Sequence, residues 1–239
     1  MKLDILVIAA HPDDAELGAG GSIAKSVKQG KKVGILDLTK GELGTRGTPE
    51  TREKEAMAAA EILGVETRQN AGLPDGFLEN SKEFQMKIIP FIRQYKPSIV
   101  LANAVKDRHP DHAKASKLIS DACFLSGLRA IKSEWSGETQ ESWRPKAVYH
   151  FVQDYYLKPD FIVDVSETWE IKMKAVKAFS SQFYQGKDDK GPVTPISTKG
   201  FIHALESRAR EYGRLIQSEY GEGFTVERPL GINSFQDII

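Results

Sequence analysis

The amino-acid sequence predicts an α/β protein in which a Rossmann-like parallel sheet is flanked by helices, with a less regular C-terminal part that ends in a long helix. Three observations predict this class: short apolar runs alternate with helical segments in the first half, the runs are continuous enough to be buried on both faces, and turn residues separate them. We expect one domain over residues 1–239, with the Rossmann-like core at 1–127 and an extension at 128–239.

Four strands alternate with four helices in the first half. The predicted strands cover 3–10, 32–38, 65–69 and 98–103, and the predicted helices cover 16–29, 49–63, 82–95 and 110–125. The first strand, helix and second strand form a βαβ unit, which implies parallel pairing. Thr48 as N-cap and Pro49 at the first helical position begin the second helix, and Gly64 ends it.

The second half is less regular. It contains a polar stretch at 132–141, strands near 147–152 and 161–165, and a helix through Ala178 that Ser166 caps. Apolar residues at three- and four-residue spacing predict a long amphipathic helix over 199–219, with Gly221 beyond its end. Residues 186–198 are expected to form a lid, within which 187–190 is a solvated turn.

Composition excludes several classes of protein. Thirty-three basic residues balance 33 acidic ones, so no global field would hold nucleic acid or an anionic membrane. The single cysteine, Cys123, has apolar neighbours and is expected to be buried. The N-terminal apolar run is too short for a signal peptide or membrane span, which favours a cytoplasmic location.

The first polar motif, His11-Pro12-Asp13-Asp14-Ala15-Glu16, follows the first predicted strand directly. Ligands of parallel sheets bind at the carboxyl ends of strands, and His11 and Asp14 could converge on one ion there, leaving Asp13 beside it as a base. Two other interpretations stay open: the carboxylates cap the following helix, or they bind Mg²⁺, although imidazole favours zinc. Dinucleotide binding is not expected, because the motif lacks a Gly-x-Gly-x-x-Gly fingerprint.

The second polar motif, Arg108-His109-Pro110-Asp111-His112, follows the fourth predicted strand and should lie along the same sheet edge. Two histidines three residues apart at a helix start share a face, so one can bind metal while the other faces substrate; a structural histidine is the alternative. Three protein ligands would leave the fourth position of a zinc site to water, which favours hydrolysis.

Together, the two motifs resemble the LmbE-like, or PIG-L, family of zinc-dependent N-acetylglucosaminyl deacetylases. Residues 39–48 and 72–76 resemble the loops of the bacillithiol biosynthesis deacetylases in that family, and the likeness continues through Thr194-Pro195 and residues 221–224. It covers essentially the whole chain. The resemblance implies that His11, Asp14 and His112 bind zinc, or Fe²⁺, which would suit the same ligands. It also implies that Asp13 is the general base and then acid, and that His109 stabilises the oxyanion, oriented by Asp111.

The resemblance further implies a substrate like N-acetylglucosaminyl malate, and a homo-oligomer, often a hexamer. Arg52 and Arg108 are predicted to bind the malate carboxylates, unless they are surface charges or ion-pair partners. The remaining candidates, which contact sugar hydroxyls or shape the loop, are Glu42, Arg46 and Asp75. The alternatives are another aglycone (inositol, a lipid or a chito-oligosaccharide), a non-catalytic metal- or sugar-binding relative, or a magnesium phosphotransferase.

Overall fold

A seven-stranded sheet forms the centre of the protein. The computed structural model describes residues 1–184, 186, 189 and 191–235. The strands are β1 (Ile5–Ala9), β2 (Val33–Asp37), β3 (Thr67–Asn70), β4 (Ile99–Ala102), β5 (Glu134–Trp135), β6 (Glu138–Thr139), β7 (Ala147–Phe151), β8 (Phe161–Asp164) and β9 (Gly221–Val226). The helices are α1 (Asp14–Lys28), α2 (Pro49–Leu63), α3 (Lys82–Tyr95), α4 (Pro110–Ser126), α5 (Trp169–Ala178) and α6 (Lys199–Leu215).

The sheet order is β3-β2-β1-β4-β7-β9-β8, so the strands of the first half sit beside those of the second. β1 pairs in parallel with β2 and β4, placing Ile5 opposite both Val33 and Ile99, and β7 continues the parallel set next to β4. β9 is antiparallel to both of its neighbours. The predicted mostly parallel α/β sheet is therefore confirmed.

Two apolar layers cover the sheet. Alternate residues of β1 enter different layers: Val7 packs with the first, under α1, α2 and α5, and Leu6 and Ile8 pack with the second, under α3 and α4. Leu6 to Ala9 have no exposed surface. Burial on both faces explains why β1 is a continuous apolar run rather than an alternating one.

Helix α1 lies unusually close to the sheet. A Cβ atom at Gly18 would lie 2.1 Å from the Phe151 ring, so only glycine permits this approach. Gly21 serves packing in the same way, since a Cβ atom there would lie 2.7 Å from Val165. The close approach fixes the start of α1, which carries Asp14, against the carboxyl ends of the strands.

The predicted long helix of the C-terminal part is present as α6, but it is shorter than expected and is not the last element. α6 ends at Leu215 rather than at Glu219, and the chain then enters the sheet as β9. Glycines at 221 and 223 concealed this strand, because glycine is depleted in strands. Gly223 is required by packing, since a Cβ there would lie 2.8 Å from the Tyr212 ring.

Two smaller expectations also differ from the structure. Ser166 lies in a 3-10 turn before α5 and its hydroxyl accepts from the Glu219 and Tyr220 N–H groups, so it links the chain to the start of β9 instead of capping a helix. The polar stretch at 132–141 contains the β5–β6 hairpin. Of the predicted lid over 186–198 and the solvated turn within it, residues 187, 188 and 190 lie outside the described residues. Within the described part of the chain, no helix combines the length and apolar character needed to cross a membrane.

Candidate active site

The two polar motifs meet at the carboxyl edge of the sheet. His11 follows β1, whereas His109 is the N-cap of α4 and His112 lies in its first turn, after β4. The His11 ring lies 4.5 Å from that of His109 and 5.4 Å from that of His112, measured between centroids. Residues about 100 positions apart are thus neighbours because β1 and β4 pair in parallel.

A shared carboxylate joins two of these histidines. Asp14 Oδ2 lies 3.3 Å from His11 Nδ1, and Asp14 Oδ1 lies 3.2 Å from His112 Nε2. Bonds of about 2.0–2.1 Å in a tetrahedral zinc site would separate two ligand atoms by about 3.3 Å, so each of these two spacings is close to that of a pair of zinc ligands, although they involve different oxygens of Asp14. Among the described residues, two combinations bring three ligand atoms within 4.8 Å of one another: His11 with His109 and His112, and His11 with Asp75 and Asp111. The nitrogen-rich donor set suits a transition ion better than Mg²⁺.

Each histidine beside Asp14 has a second carboxylate on its other nitrogen. His112 Nδ1 lies 2.6 Å from Asp107 Oδ2, and His11 Nε2 lies 3.0 Å from Asp75 Oδ1. Carboxylates placed in this way fix the tautomer and ring orientation of metal-binding histidines. Asp75, predicted to contact a sugar hydroxyl or to shape the loop, lies against His11 and also accepts from the Leu43 N–H at 2.9 Å. Asp107 was not identified from the sequence.

Asp14 is itself held by three donors. Its carboxylate accepts from the His11 N–H at 2.9 Å, from Asn103 Nδ2 at 3.1 Å and from Gln153 Nε2 at 2.5 Å. Asn103 and Gln153 follow β4 and β7, and neither was identified from the sequence. A polar side chain just beyond a buried strand was the signal that could have found both.

Charge explains the protonation of this cluster. Burial opposes ionisation of Asp14, but His112 and His11 together hold the pKa of its carboxyl well below the usual value. Burial likewise opposes protonation of His112, yet Asp14 and Asp107 raise its pKa to about 9. The carboxylates around His11 raise its pKa well above the usual value. In the metal-free protein, this pocket therefore holds protons that a metal ion would displace.

Asp13 occupies a strained turn next to Asp14. Its backbone φ is 112°, a conformation that costs a non-glycine residue free energy and persists where the surroundings enforce it. Burial raises the pKa of its carboxyl to about 7, and the positive charge of Arg52 opposes that rise. A carboxyl group with a pKa near neutrality is suited to accept and return a proton.

Arg52 is the group that holds Asp13. Its Nη2 lies 3.1 Å from Asp13 Oδ2 and also donates to the Pro12 carbonyl, and only 5% of the residue is exposed. Gly41 makes room for it: a Cβ there would lie 1.9 Å from Arg52 Nη1, and its φ of 65° favours glycine. The structure thus places Arg52 in the ion pair that the sequence left as the alternative to carboxylate binding by substrate.

His109 is positioned by the backbone of Asp111. The Asp111 N–H donates to His109 Nδ1 at 3.2 Å, which leaves the proton of a neutral ring on Nε2. Burial, with the neighbouring His11 and His112, lowers the pKa of His109 and favours that neutral form. The contact of Asp111 with His109 is thus through its main chain, whereas the Asp111 carboxylate has other partners. This carboxylate accepts from the Gly76 and Leu78 N–H groups and lies 3.5 Å from His11 Nε2.

The remaining predicted residues lie around this centre. Glu42 accepts from the Asp75 N–H at 2.9 Å and so shapes the loop that carries Asp75. Arg46 donates to the Ser181 carbonyl and to Asp189, which ties its loop to the segment after α5. Arg108 donates to Asp154 Oδ2 at 2.5 Å and, with His112, lines a small pocket.

Comparison with known proteins agrees with this geometry. The family model PIG-L, described as GlcNAc-PI de-N-acetylase, matches residues 6–123. A diacetylchitobiose deacetylase of Thermococcus kodakarensis is 32% identical over 189 residues, covering 75% of this chain and 70% of that protein. A probable N-acetyl-alpha-D-glucosaminyl L-malate deacetylase 2 of Bacillus subtilis is 28% identical over 227 residues, covering 88% and 90%. The solved structure of the conserved protein TT1542 from Thermus thermophilus superposes with a TM-score of 0.85 at 38% identity, over 98% of both chains. The chain therefore belongs to the PIG-L, or LmbE-like, family of deacetylases.

Proposed function

We propose that this protein is a zinc-dependent hydrolase that removes the acetyl group from N-acetylglucosaminyl malate, a step of bacillithiol biosynthesis. One observation carries the proposal: a buried carboxylate, Asp13, is held by Arg52 directly beside Asp14, whose oxygens face His11 and His112. A site that only bound a structural ion would need neither a held base nor a neutral imidazole donor at its edge.

His11, Asp14 and His112 would hold the ion. When bound, zinc acts as a Lewis acid toward the amide carbonyl and lowers the pKa of water to about 7. Asp75 and Asp107 keep the two imidazoles in the orientation that binding needs, because each accepts from the ring nitrogen that faces away from Asp14.

Asp13 would move the proton. Its carboxylate accepts a proton from the attacking water and then delivers that proton to the nitrogen of the leaving amine, so the products are acetate and a free amino sugar. Arg52 keeps Asp13 in place and favours its ionised form. General acid–base catalysis of this kind contributes about 10²- to 10⁴-fold to a rate.

His109 would stabilise the negative charge that develops on the carbonyl oxygen. Because its Nδ1 accepts from the Asp111 N–H, the neutral ring has Nε2–H as its donor. A preorganised donor of this type is worth about 2.7–4 kcal/mol in the transition state. The lowered pKa of His109 favours this neutral form of the ring.

The malate conjugate is supported by the Bacillus subtilis relative, which is similar over nearly the whole chain, and by Arg108 and Arg208, which line one pocket with His112. The Thermococcus kodakarensis relative, named for diacetylchitobiose, supports the broader substrate class of N-acetylated amino sugars. A carboxylate-bearing aglycone would find its complementary charge in this pocket, whereas a neutral aglycone would not.

The test is an amine-release assay on N-acetylglucosaminyl malate and on free N-acetylglucosamine. We expect equal amounts of amine and acetate, a higher kcat/KM for the malate conjugate, and a loss of kcat of about 10²-fold or more in Asp13→Asn. The matched control is Asp121→Asn, which removes a partly exposed carboxylate that pairs with Lys117 on α4. If the enzyme released amine from neither sugar, the proposal would be refuted.

A further inference from the structure

A guanidinium that sequence analysis did not single out lies beside the histidine of the metal site. Arg208 of α6 lines the same small pocket as His112 and Arg108, together with Gln153 and Asp154. The apolar wall of this pocket consists of Ile196, Phe201 and Leu205. α6 thus brings a positive charge to the carboxyl edge of the sheet from a distant part of the chain.

The two arginines differ in how their charge is compensated. Arg108 donates to the Asp154 carboxylate, at 2.5 Å between Nε and Oδ2. Arg208 donates instead to the main-chain carbonyl of Asp154, at 2.9 Å from Nη2. The nearby carboxylate of Asp107 is bound to His112. Because a carbonyl dipole neutralises a guanidinium less than a carboxylate does, Arg208 presents the less compensated charge to the pocket.

The chemistry of the substrate places its aglycone near this charge. In a glycoside of N-acetylglucosamine, the acetamido group is on C2 and the aglycone is on the adjacent C1. An amide that reacts between Asp13, His109 and His112 therefore keeps a carboxylate of the aglycone only a few bonds away. The apolar wall limits access of water, which strengthens an ion pair formed there.

We propose that Arg208 binds a carboxylate of the aglycone and thereby selects anionic conjugates. This inference rests on the proposed deacetylase function and adds the residue that sets its specificity. The fork of the guanidinium can donate two parallel hydrogen bonds to a carboxylate, which a lysine ammonium cannot reproduce in the same geometry. Arg208 is a specificity residue in this account, because it touches the aglycone and not the reacting amide.

The experiment measures kcat and KM for two substrates, N-acetylglucosaminyl malate and the neutral methyl glycoside of N-acetylglucosamine. We expect Arg208→Gln to raise KM for the malate conjugate roughly 10- to 100-fold with kcat nearly unchanged, and to leave both constants for the methyl glycoside unchanged. Arg208→Lys keeps the charge but loses the fork, so its KM should rise less. The matched control, Arg210→Gln, removes an exposed arginine of α6 that pairs with Glu206, and should behave as wild type.

Equal effects of Arg208→Gln on both substrates would show a merely structural role and overturn the inference, as would unchanged discrimination in both Arg208 variants. The Lys variant covers the case in which Arg208→Gln does not fold. A wild-type enzyme that deacetylates the methyl glycoside but not the malate conjugate overturns the inference and leaves the chemistry standing. One that deacetylates neither overturns the proposed function as well.

Discussion

Nη2 of Arg52 lies 3.1 Å from Oδ2 of Asp13, and both side chains are almost fully buried. The sequence predicted that Arg52 binds a carboxylate of the substrate. In the structure, Arg52 instead binds a carboxylate of the protein, that of Asp13, which is the residue proposed as the base. The distinction between these two roles is measurable, because one changes turnover and the other changes substrate binding.

We predict that Arg52→Gln lowers kcat at pH 7 by about 10-fold or more, with a smaller effect on KM. Loss of the positive charge removes what opposes the rise in the pKa of Asp13, so that pKa moves further above about 7 and less base is ionised. The acid limb of the pH–kcat profile should therefore shift to higher pH, and Arg52→Lys should shift it less. A raised KM with normal kcat would instead support substrate binding by Arg52.

Asp107→Asn should weaken metal binding about 10- to 100-fold. The variant removes the carboxylate that lies 2.6 Å from His112 Nδ1 and that also accepts from the Asp154 and Tyr155 N–H groups. Competition with a chromophoric chelator measures the affinity directly. Asp121→Asn, on the other side of α4, is the control and should bind metal as wild type does; equal affinity in both variants would contradict the proposed role of Asp107.

Metal binding should release protons below pH 9. Zinc needs neutral imidazoles, whereas His112 has a pKa raised to about 9 in the metal-free pocket and His11 is raised well above its usual value. The apparent affinity should therefore fall by about tenfold per pH unit for each histidine proton displaced. Calorimetry at pH 7 in buffers of different ionisation enthalpy counts these protons. We expect at least one proton to be released per zinc bound. If no proton were released, the histidines would already be neutral before the metal binds.

A buried ion pair braces α1 behind the site. Lys172 Nζ lies 2.6 Å from Glu222 Oε1 and donates to the Leu17 carbonyl, while Glu222 accepts from the Gly21 and Ser22 N–H groups. Lys172→Met leaves Glu222 as an uncompensated buried charge and should cost about 3–5 kcal/mol of unfolding free energy.

Urea titration of the Lys172 variant, of Glu222→Gln and of the double variant tests that coupling. The double variant leaves neither a buried ammonium nor a buried carboxylate without its partner, whereas each single variant leaves one of them. We therefore expect the double variant to lose less stability than the sum of the single losses. Additive losses would mean that the two side chains act independently.

Local pattern predicted the first half of the fold because β1, β2 and β4 are buried almost throughout and the second helix has clear end signals at Thr48, Pro49 and Gly64. β9 was missed because Gly221 and Gly223, which packing requires, weaken the strand pattern. The same limit applies to Arg208, since helical spacing alone does not show which distant pocket a side chain of α6 reaches.

For the site, the sequence predicted that His11 and His112 meet at one sheet edge. In the structure, both histidines contact the carboxylate of Asp14. The supporting residues were harder to foresee. Asp107 and Gln153 are ordinary polar residues in loops, and only the parallel pairing of β1 with β4 and β4 with β7 brings them to the histidines and Asp14. The assignments of Asp13, His109 and the zinc ligands to catalytic roles remain predictions.

Zinc titration of the metal-depleted enzyme, followed by turnover of N-acetylglucosaminyl malate, tests the central claim most directly. The account predicts that turnover rises from baseline to a plateau at one zinc per chain, with acetate and amine released in equal amounts. It also predicts that Asp13→Asn binds the same single zinc but lacks this turnover. Full turnover in the metal-depleted protein, or in zinc-loaded Asp13→Asn, would contradict it.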